Sequence, residues 1–460
     1  MSFNLGKSVN LTDKNSLGRI IIYLLSGGIL NYSILFFTSV LIFRNVDRSD
    51  YALYVILIAV FAILELFLGG YNQAIARYLK EKISLEEKQK IVIYTFYYKY
   101  ISILIFIFLI FFLKNYGLFE YLIKDYKLVE DIIDNFLVIA IFNSIISAMI
   151  GMSNTILNSL YQYRFVTTID ILRNLLYLLS VIVIIFITEE YLVYLYTSSF
   201  INVVFLIILS VKTSKNHKAY SFLTLIRIKP EVSIYKKYLF SYATPLTAIS
   251  LLTYVKNQLP IIILGKEFEL QNVAIFSIIK NFFKAVHSLT SSFLGSLISK
   301  FITLKEHKRK LIIVMNGIYY GFFTIRLFIY ITLIFLIEYF FILYKLNDTD
   351  VNRLIFYILG FEFIIAGMMV SYSVLLNLRK TTVHTLYISL GRFTVEIILI
   401  YFLLFEYGVL AAALILLLSR YFETFVAYFF INNEKVFKFT FLTIILAIPC
   451  VMYFVSEALN

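Results

Sequence analysis

Lys280, Lys284 and His287 stand four and three residues apart inside an apolar run from Gln271 to Ile302. Residues spaced i, i+4 and i+7 share one face of a helix, so the run predicts a greasy helix with a basic stripe. An ionisable side chain deep in hydrocarbon costs about 2.5–3.5 kcal/mol and faces a partner or a cavity. Lys256, in the preceding apolar run, belongs with the stripe. If the two runs form a hairpin, Lys256 and Lys280 lie roughly 13 and 15 Å below its outer end at about 1.5 Å per residue. Both are then near the midplane of a core about 30 Å thick, where a lysine stem does not reach water. Lys284 is one turn deeper. The three lysines read as an anion site, with Asn257 and Asn281 beside them. His287 alone would read as a packed histidine, and it joins the site because it shares the lysine face. The competing reading pairs the lysines with Glu65 or Glu362.

Other charges lie within apolar runs. Arg392 and Glu396 are four apart, and Arg420 and Glu423 three apart, so each pair can close within its own helix. The structural-pair reading of these four leads over ion coupling, for which they and Glu362 are the candidates. Arg326 is a further interior cation, and Lys99, among tyrosines, is read as snorkelling towards the inner face. Backbone chemistry adds a second signal. Pro245 and Pro260 fall in one run, and Gly27, Gly28 and Asn31 in the first. Interrupted segments at matching places in two halves point to a transport site, so these positions are read as hinges and polar cavity wall, together with Glu65.

The elements that must carry these residues are membrane helices. The 460 residues are 61% hydrophobic, with a mean hydropathy of +0.87, and apolar runs long enough to span a bilayer recur from end to end. Helices are expected at 18–43, 51–76, 91–113, 132–158, 168–187, 191–211, 238–264, 271–302, 311–343, 351–377, 385–405, 407–431 and 438–457. Lys and Arg concentrate in alternate loops, which places the N-terminus in the cytoplasm. Residues 48–70 can be laid on 270–292, an offset of 222 (270 minus 48), and the same offset carries the starts of the third to fifth helices close to those of the ninth to eleventh. The expectation is an all-α polytopic membrane protein of two six-helix lobes, 1–211 and 238–431, related by a parallel pseudo-two-fold repeat. A basic cytoplasmic loop, 212–237, joins them, and an extra C-terminal helix occupies 432–460.

Several function classes fall away. The net charge of +13 sits mainly in short loops, which answers to topology and not to nucleic acid. One cysteine makes neither a disulfide nor a zinc cluster. No phosphate-binding GxxxxGK[ST] loop and no HExxH occurs. The expectation is a non-enzyme without cofactor or metal.

The segment 241–282, SYATPLTAISLLTYVKNQLPIIILGKEFELQNVAIFSIIKNF, resembles bacterial polysaccharide-unit flippases of the MATE-like multidrug/oligosaccharidyl-lipid/polysaccharide exporter superfamily. The shared features are Pro245, the Ile263-Leu264-Gly265 ending, Phe276-Ser277 and Lys280-Asn281. Members often carry an acid shortly before the Leu-Gly ending, where this chain has Lys256, Asn257 and Gln258. The resemblance implies alternating access and an undecaprenyl-pyrophosphate-linked oligosaccharide moved from the inner to the outer leaflet of a bacterial inner membrane, for O-antigen or capsule. Lys256, Lys280, Lys284 and His287 would face the pyrophosphate, and polar residues of the first, second, seventh and eighth helices the sugars. Implied partners are membrane lipids, a polysaccharide polymerase and chain-length machinery. A MATE-like small-molecule antiporter is the alternative. A membrane-embedded polymerase ranks below both, because the longest expected outer loop, 114–131, is short.

Overall fold

A computed structural model describes residues 14–61, 71–72, 75–79, 84–123, 126–160, 162–216, 233, 240–291, 308–378 and 382–432. The long helices are α1 (Lys14–Asn45), α2 (Arg48–Phe61), α3 (Leu85–Asn115), α4 (Tyr126–Ser159), α5 (Tyr163–Ile184), α6 (Tyr191–Asn216), α7 (Ser241–Glu267), α8 (Leu270–Ser291), α9 (Lys308–Phe335), α10 (Asp350–Leu378), α11 (Thr382–Leu399) and α12 (Phe405–Asn432). No strand occurs among the described residues. Helices answer the bilayer because every backbone amide is satisfied within its own segment. Hydroxyls inside the spans are housed the same way: Thr38, Thr95, Thr155, Ser159, Thr197 and Thr213 each donate to the carbonyl four residues back. Among the described residues nine helices are long and apolar enough to cross a membrane, or ten if one bent pair is a single span. The chain is a multi-pass membrane protein.

Local sequence sets the helix ends. Ser84 caps α3, its Oγ accepting from the Glu87 amide at 3.1 Å and donating to the Glu87 carboxylate at 3.4 Å, so one helix-start N–H is satisfied by a side chain. Thr349 takes the Asn352 amide at the start of α10. The five-residue π turn Ile400–Leu404 follows α11, and α12 turns at Gly408, where φ 57° and ψ −131° exclude a side chain.

The chain divides into two compact units, Met1–Tyr254 and Val255–Asn460, the division falling inside α7. In the first, α1 packs on α5, α2 on α4, and α6 on both α4 and α5. In the second, α8 packs on α10, and α12 on both α10 and α11. The helix starts at 48, 85, 126 and 163 have counterparts at 270, 308, 350 and 382, close to the offset of 222 read from the sequence. The short helices Leu118–Leu122 and Ile337–Leu343 fall at matching places as well.

The expected ninth helix, 311–343, is not one rod. It bends by 67° between Phe335 and Ile337. Neither Pro nor Gly sits at the bend; tertiary burial causes it. Ile337, Phe340 and Phe341 are buried, and Phe340 lies 5.0 Å from Phe356 of α10 and 4.9 Å from Phe282 of α8. The expected thirteenth helix, most of the loop 212–237, the far end of the expected second helix with Glu65, and residues 292–302 lie outside the described residues.

Gly27 lets α1 and α5 approach closely: a Cβ there would stand 2.5 Å from Thr167 Cγ2. Small residues at such crossings carry membrane-helix packing. Gly27→Ala should cost about 1–3 kcal/mol, read as a lower unfolding midpoint in detergent. Thr167→Ser, which removes the obstructing methyl, should restore most of it.

Candidate functional site

The second unit gathers six of its interior charges into one network. Glu423 on α12 is the hub: its Oε2 accepts from Arg392 Nη1 on α11 and from Arg420 Nη1, each at 2.7 Å. Its Oε1 stands 3.4 Å from Lys256 Nζ on α7. Arg420 Nε donates to Glu362 Oε1 on α10 at 2.7 Å. Arg392 Nε donates to Ser419 at 3.3 Å and lies 3.9 Å from Glu396. Lys256, Arg392 and Glu396 are fully buried. Three cations and three acids therefore balance formally across four helices, as burial of charge requires. Glu396 stands apart, because neither of its carboxylate oxygens accepts a hydrogen bond among the described residues.

This differs from the sequence expectation in two ways. Arg420 and Glu423 do close within α12, but Arg392 bonds Glu423 across helices more tightly than its own-helix neighbour Glu396. Lys256, expected on the anion wall, has its ammonium against Glu423. The reason is register: the i, i+4 rule sees one helix, whereas α11 and α12 pack along their length and bring Arg392 to Glu423.

Lys280 and Lys284 share a face of α8, half-buried and exposed respectively, with Asn281 exposed. Lys280 Nζ lies 5.8 Å from the Phe276 ring centroid. His287, one turn on, has its Nδ1 3.0 Å from Arg326 Nη1 of α9. A guanidinium only donates, so Nδ1 accepts and the imidazole proton sits on Nε2. The histidine thus orients an arginine instead of adding a charge of its own. Arg326 is the residue that sequence reasoning left without a role. It is fully buried, donates to the Phe363 carbonyl at 2.9 Å and lies 4.7 Å from the Phe363 ring centroid. Its Nε and Nη2 have no hydrogen-bond partner among the described residues. Gly367 makes room for it, since a Cβ there would stand 2.6 Å from Arg326 Cδ. An arginine within an apolar run was the available signal; the histidine and glycine that seat it are far away in sequence.

Of the hinge candidates, Pro245 is half-buried near the start of α7 and Pro260 buried in its interior. Pro260 has no N–H for the Lys256 carbonyl. Asn257 lies between them on the same helix. Gly27, Gly28 and Asn31 are on α1 of the first unit, where Asn31 Oδ1 accepts from Asn174 of α5 at 2.6 Å. Lys99 does not snorkel: it is buried, and its Nζ donates to Asn72 at 2.7 Å. Among the described residues no group of three or more His, Cys, Asp or Glu is placed to hold a metal.

Residues 17–298 match the family model described as polysaccharide biosynthesis protein. The chain belongs to that family. Family and fold are of the flippase or transporter type. Among solved structures, the fold is similar to lipid II flippase MurJ in an inward closed conformation, with a TM-score of 0.69 at 14% identity over 95% of this chain and 96% of the other. It is similar to an inward-facing MATE family transporter of the MOP superfamily, with a TM-score of 0.64 at 13% identity over 90% and 99%. The Vibrio cholerae MATE transporter VcmN in its bent form gives 0.61 at 12% identity over 92% and 99%. No curated protein matches.

Removing the hub acid should leave three buried cations short of a partner. Glu423→Gln is expected to cost about 3–5 kcal/mol, read by chemical denaturation of the purified protein. Glu423→Gln/Lys256→Met should recover part of that loss, because one uncompensated charge goes with it.

Proposed function

We propose that this polysaccharide biosynthesis protein is a flippase for undecaprenyl-pyrophosphate-linked oligosaccharide, for O-antigen or a related surface polysaccharide. It would work by alternating access in the bacterial inner membrane with its N-terminus in the cytoplasm. One observation carries the substrate assignment. Well inside the described helices of the second unit, away from their ends, six basic side chains (Lys256, Lys280, Lys284, Arg326, Arg392 and Arg420) stand against three acids (Glu362, Glu396 and Glu423). The interior of this unit therefore carries net positive charge, whichever cations the acids bear on. Such an excess suits a pyrophosphate crossing hydrocarbon and disfavours the cationic compounds that a small-molecule antiporter would carry.

On this reading Lys280 and Lys284 face the pyrophosphate, His287 of the same stripe holds Arg326 of α9, and Lys256 supports them from within the network. Glu396 is the coupling candidate, being the network acid whose carboxylate accepts no hydrogen bond among the described residues. The charged groups bearing on it are Arg392, Lys256, Lys280 and Arg420. The remaining partners of the reading are membrane lipids and a downstream polymerase with its chain-length machinery.

In proteoliposomes the wild type should flip lipid-linked oligosaccharide, and Lys280→Ala/Lys284→Ala should lower the rate at least about tenfold at equal insertion. Equal rates would remove these lysines from the site. A wild type that does not flip a confirmed cognate lipid would overturn the flippase. Glu396→Gln should abolish the response of flipping to an imposed pH gradient; an unchanged response would exclude Glu396 from coupling.

A further inference from the structure

The first unit holds a cavity of a different chemistry. It has a volume of about 250 Å³ and lies among α2, α4 and α6. Its polar wall is Tyr54 of α2, Asn143, Ser144 and Ser147 of α4, and Ser198 and Asn202 of α6, with no charged side chain in the lining. The spacing makes the wall. Asn143 and Ser147 fall at i and i+4, as do Ser198 and Asn202, so each pair shares a face; Ser144 flanks the first pair, and the two helices pack together.

The hydroxyls next to this wall on α6 are satisfied differently from those in it. Thr197 and Ser199, on either side of Ser198, return their hydroxyls to the carbonyls of Val193 and Leu195. Asn143 Oδ1 takes a contact from Ser199 at 2.8 Å. Ser144, Ser147, Ser198 and Asn202, by contrast, make no side-chain hydrogen bond among the described residues. Unmet amides and hydroxyls at membrane depth carry a cost that a polar occupant relieves. The occupant's chemistry follows from the wall. Hydroxyls and amides both donate and accept, which matches a group that does both. The missing charge disfavours a phosphate or an ammonium. The Tyr54 ring, 5.3 Å from Tyr191 and 6.3 Å from Phe136 by centroid, is fixed by its neighbours and offers a flat apolar surface. A pyranose has this pattern: hydroxyls around its rim and a C–H face.

We propose that this cavity is a glycan subsite that takes a neutral sugar of the lipid-linked oligosaccharide, with Ser144, Ser147, Ser198 and Asn202 bonding its hydroxyls and Tyr54 lying on its face. The assignment rests on the flippase reading and deepens it. It moves the expected polar wall for the sugars onto α4 and α6, keeping only α2 of the helices expected from sequence.

The chain contains no tryptophan, so Tyr54→Trp provides a lone fluorescent reporter in the full-length protein. The probes are oligosaccharide-bearing undecaprenyl pyrophosphate extracted from cells that assemble the polysaccharide, and undecaprenyl pyrophosphate without sugar. The sugar-bearing lipid should shift the emission saturably and the bare lipid should not. An equal shift with both would overturn the subsite. So would no shift with either while the wild type still flips the sugar-bearing lipid, an outcome that leaves the flippase standing with water as the occupant. No flipping by the wild type would end both readings. A second measurement avoids the new indole: Ser147→Val/Asn202→Leu should lower the preference of flipping for the sugar-bearing over the bare lipid about tenfold, the scale of two lost hydrogen bonds. An unchanged preference would also overturn the subsite.

Discussion

Hydrocarbon does not tolerate an uncompensated charge, and the second unit is arranged around that constraint. Glu423 accepts from two arginines and faces a lysine, so one carboxylate ties α7, α11 and the rest of α12 together. Arg420 carries the tie on to Glu362 and α10. Desolvating so many charges gives little net stability against an apolar core, but removing any one partner is costly. The network therefore works as a register device: the four helices fit only in the arrangement that brings these groups within reach.

The same unit holds more interior cations than interior acids. Arg326 is held by a histidine acceptor, a backbone carbonyl and an aromatic face, and a glycine clears its path. That is substantial construction for a side chain whose Nε and Nη2 are not used by the described protein groups. Together with Lys280 and Lys284 it gives this unit a positive interior, the property on which the anionic-lipid reading stands. The first unit uses several neutral devices: a glycine crossing at Gly27, an asparagine pair at Asn31 and Asn174, and hydroxyls such as that of Thr38 bonded back to their own helices. The sugar assignment stands on its hydroxyl- and amide-lined cavity, where Ser144, Ser147, Ser198 and Asn202 make no side-chain hydrogen bond among the described residues.

Much of this was legible in the sequence, for a physical reason. Spanning helices, their spacing and the offset of 222 follow from hydropathy and length, because the bilayer acts on each segment separately. The lysine stripe was equally local, since a period of 3.6 residues fixes which residues share a face. Tertiary packing decided what lay between helices. It placed Arg392 against Glu423 instead of Glu396, drew Lys256 into that network, bent the ninth helix to bury Phe340 and Phe341, and turned His287 into the acceptor that seats Arg326. It also opened the cavity whose walls come from α2, α4 and α6. Each of these depends on the register of one helix against another, and a charge or a hydroxyl on one segment carries no record of which partner the neighbouring segment will bring to it.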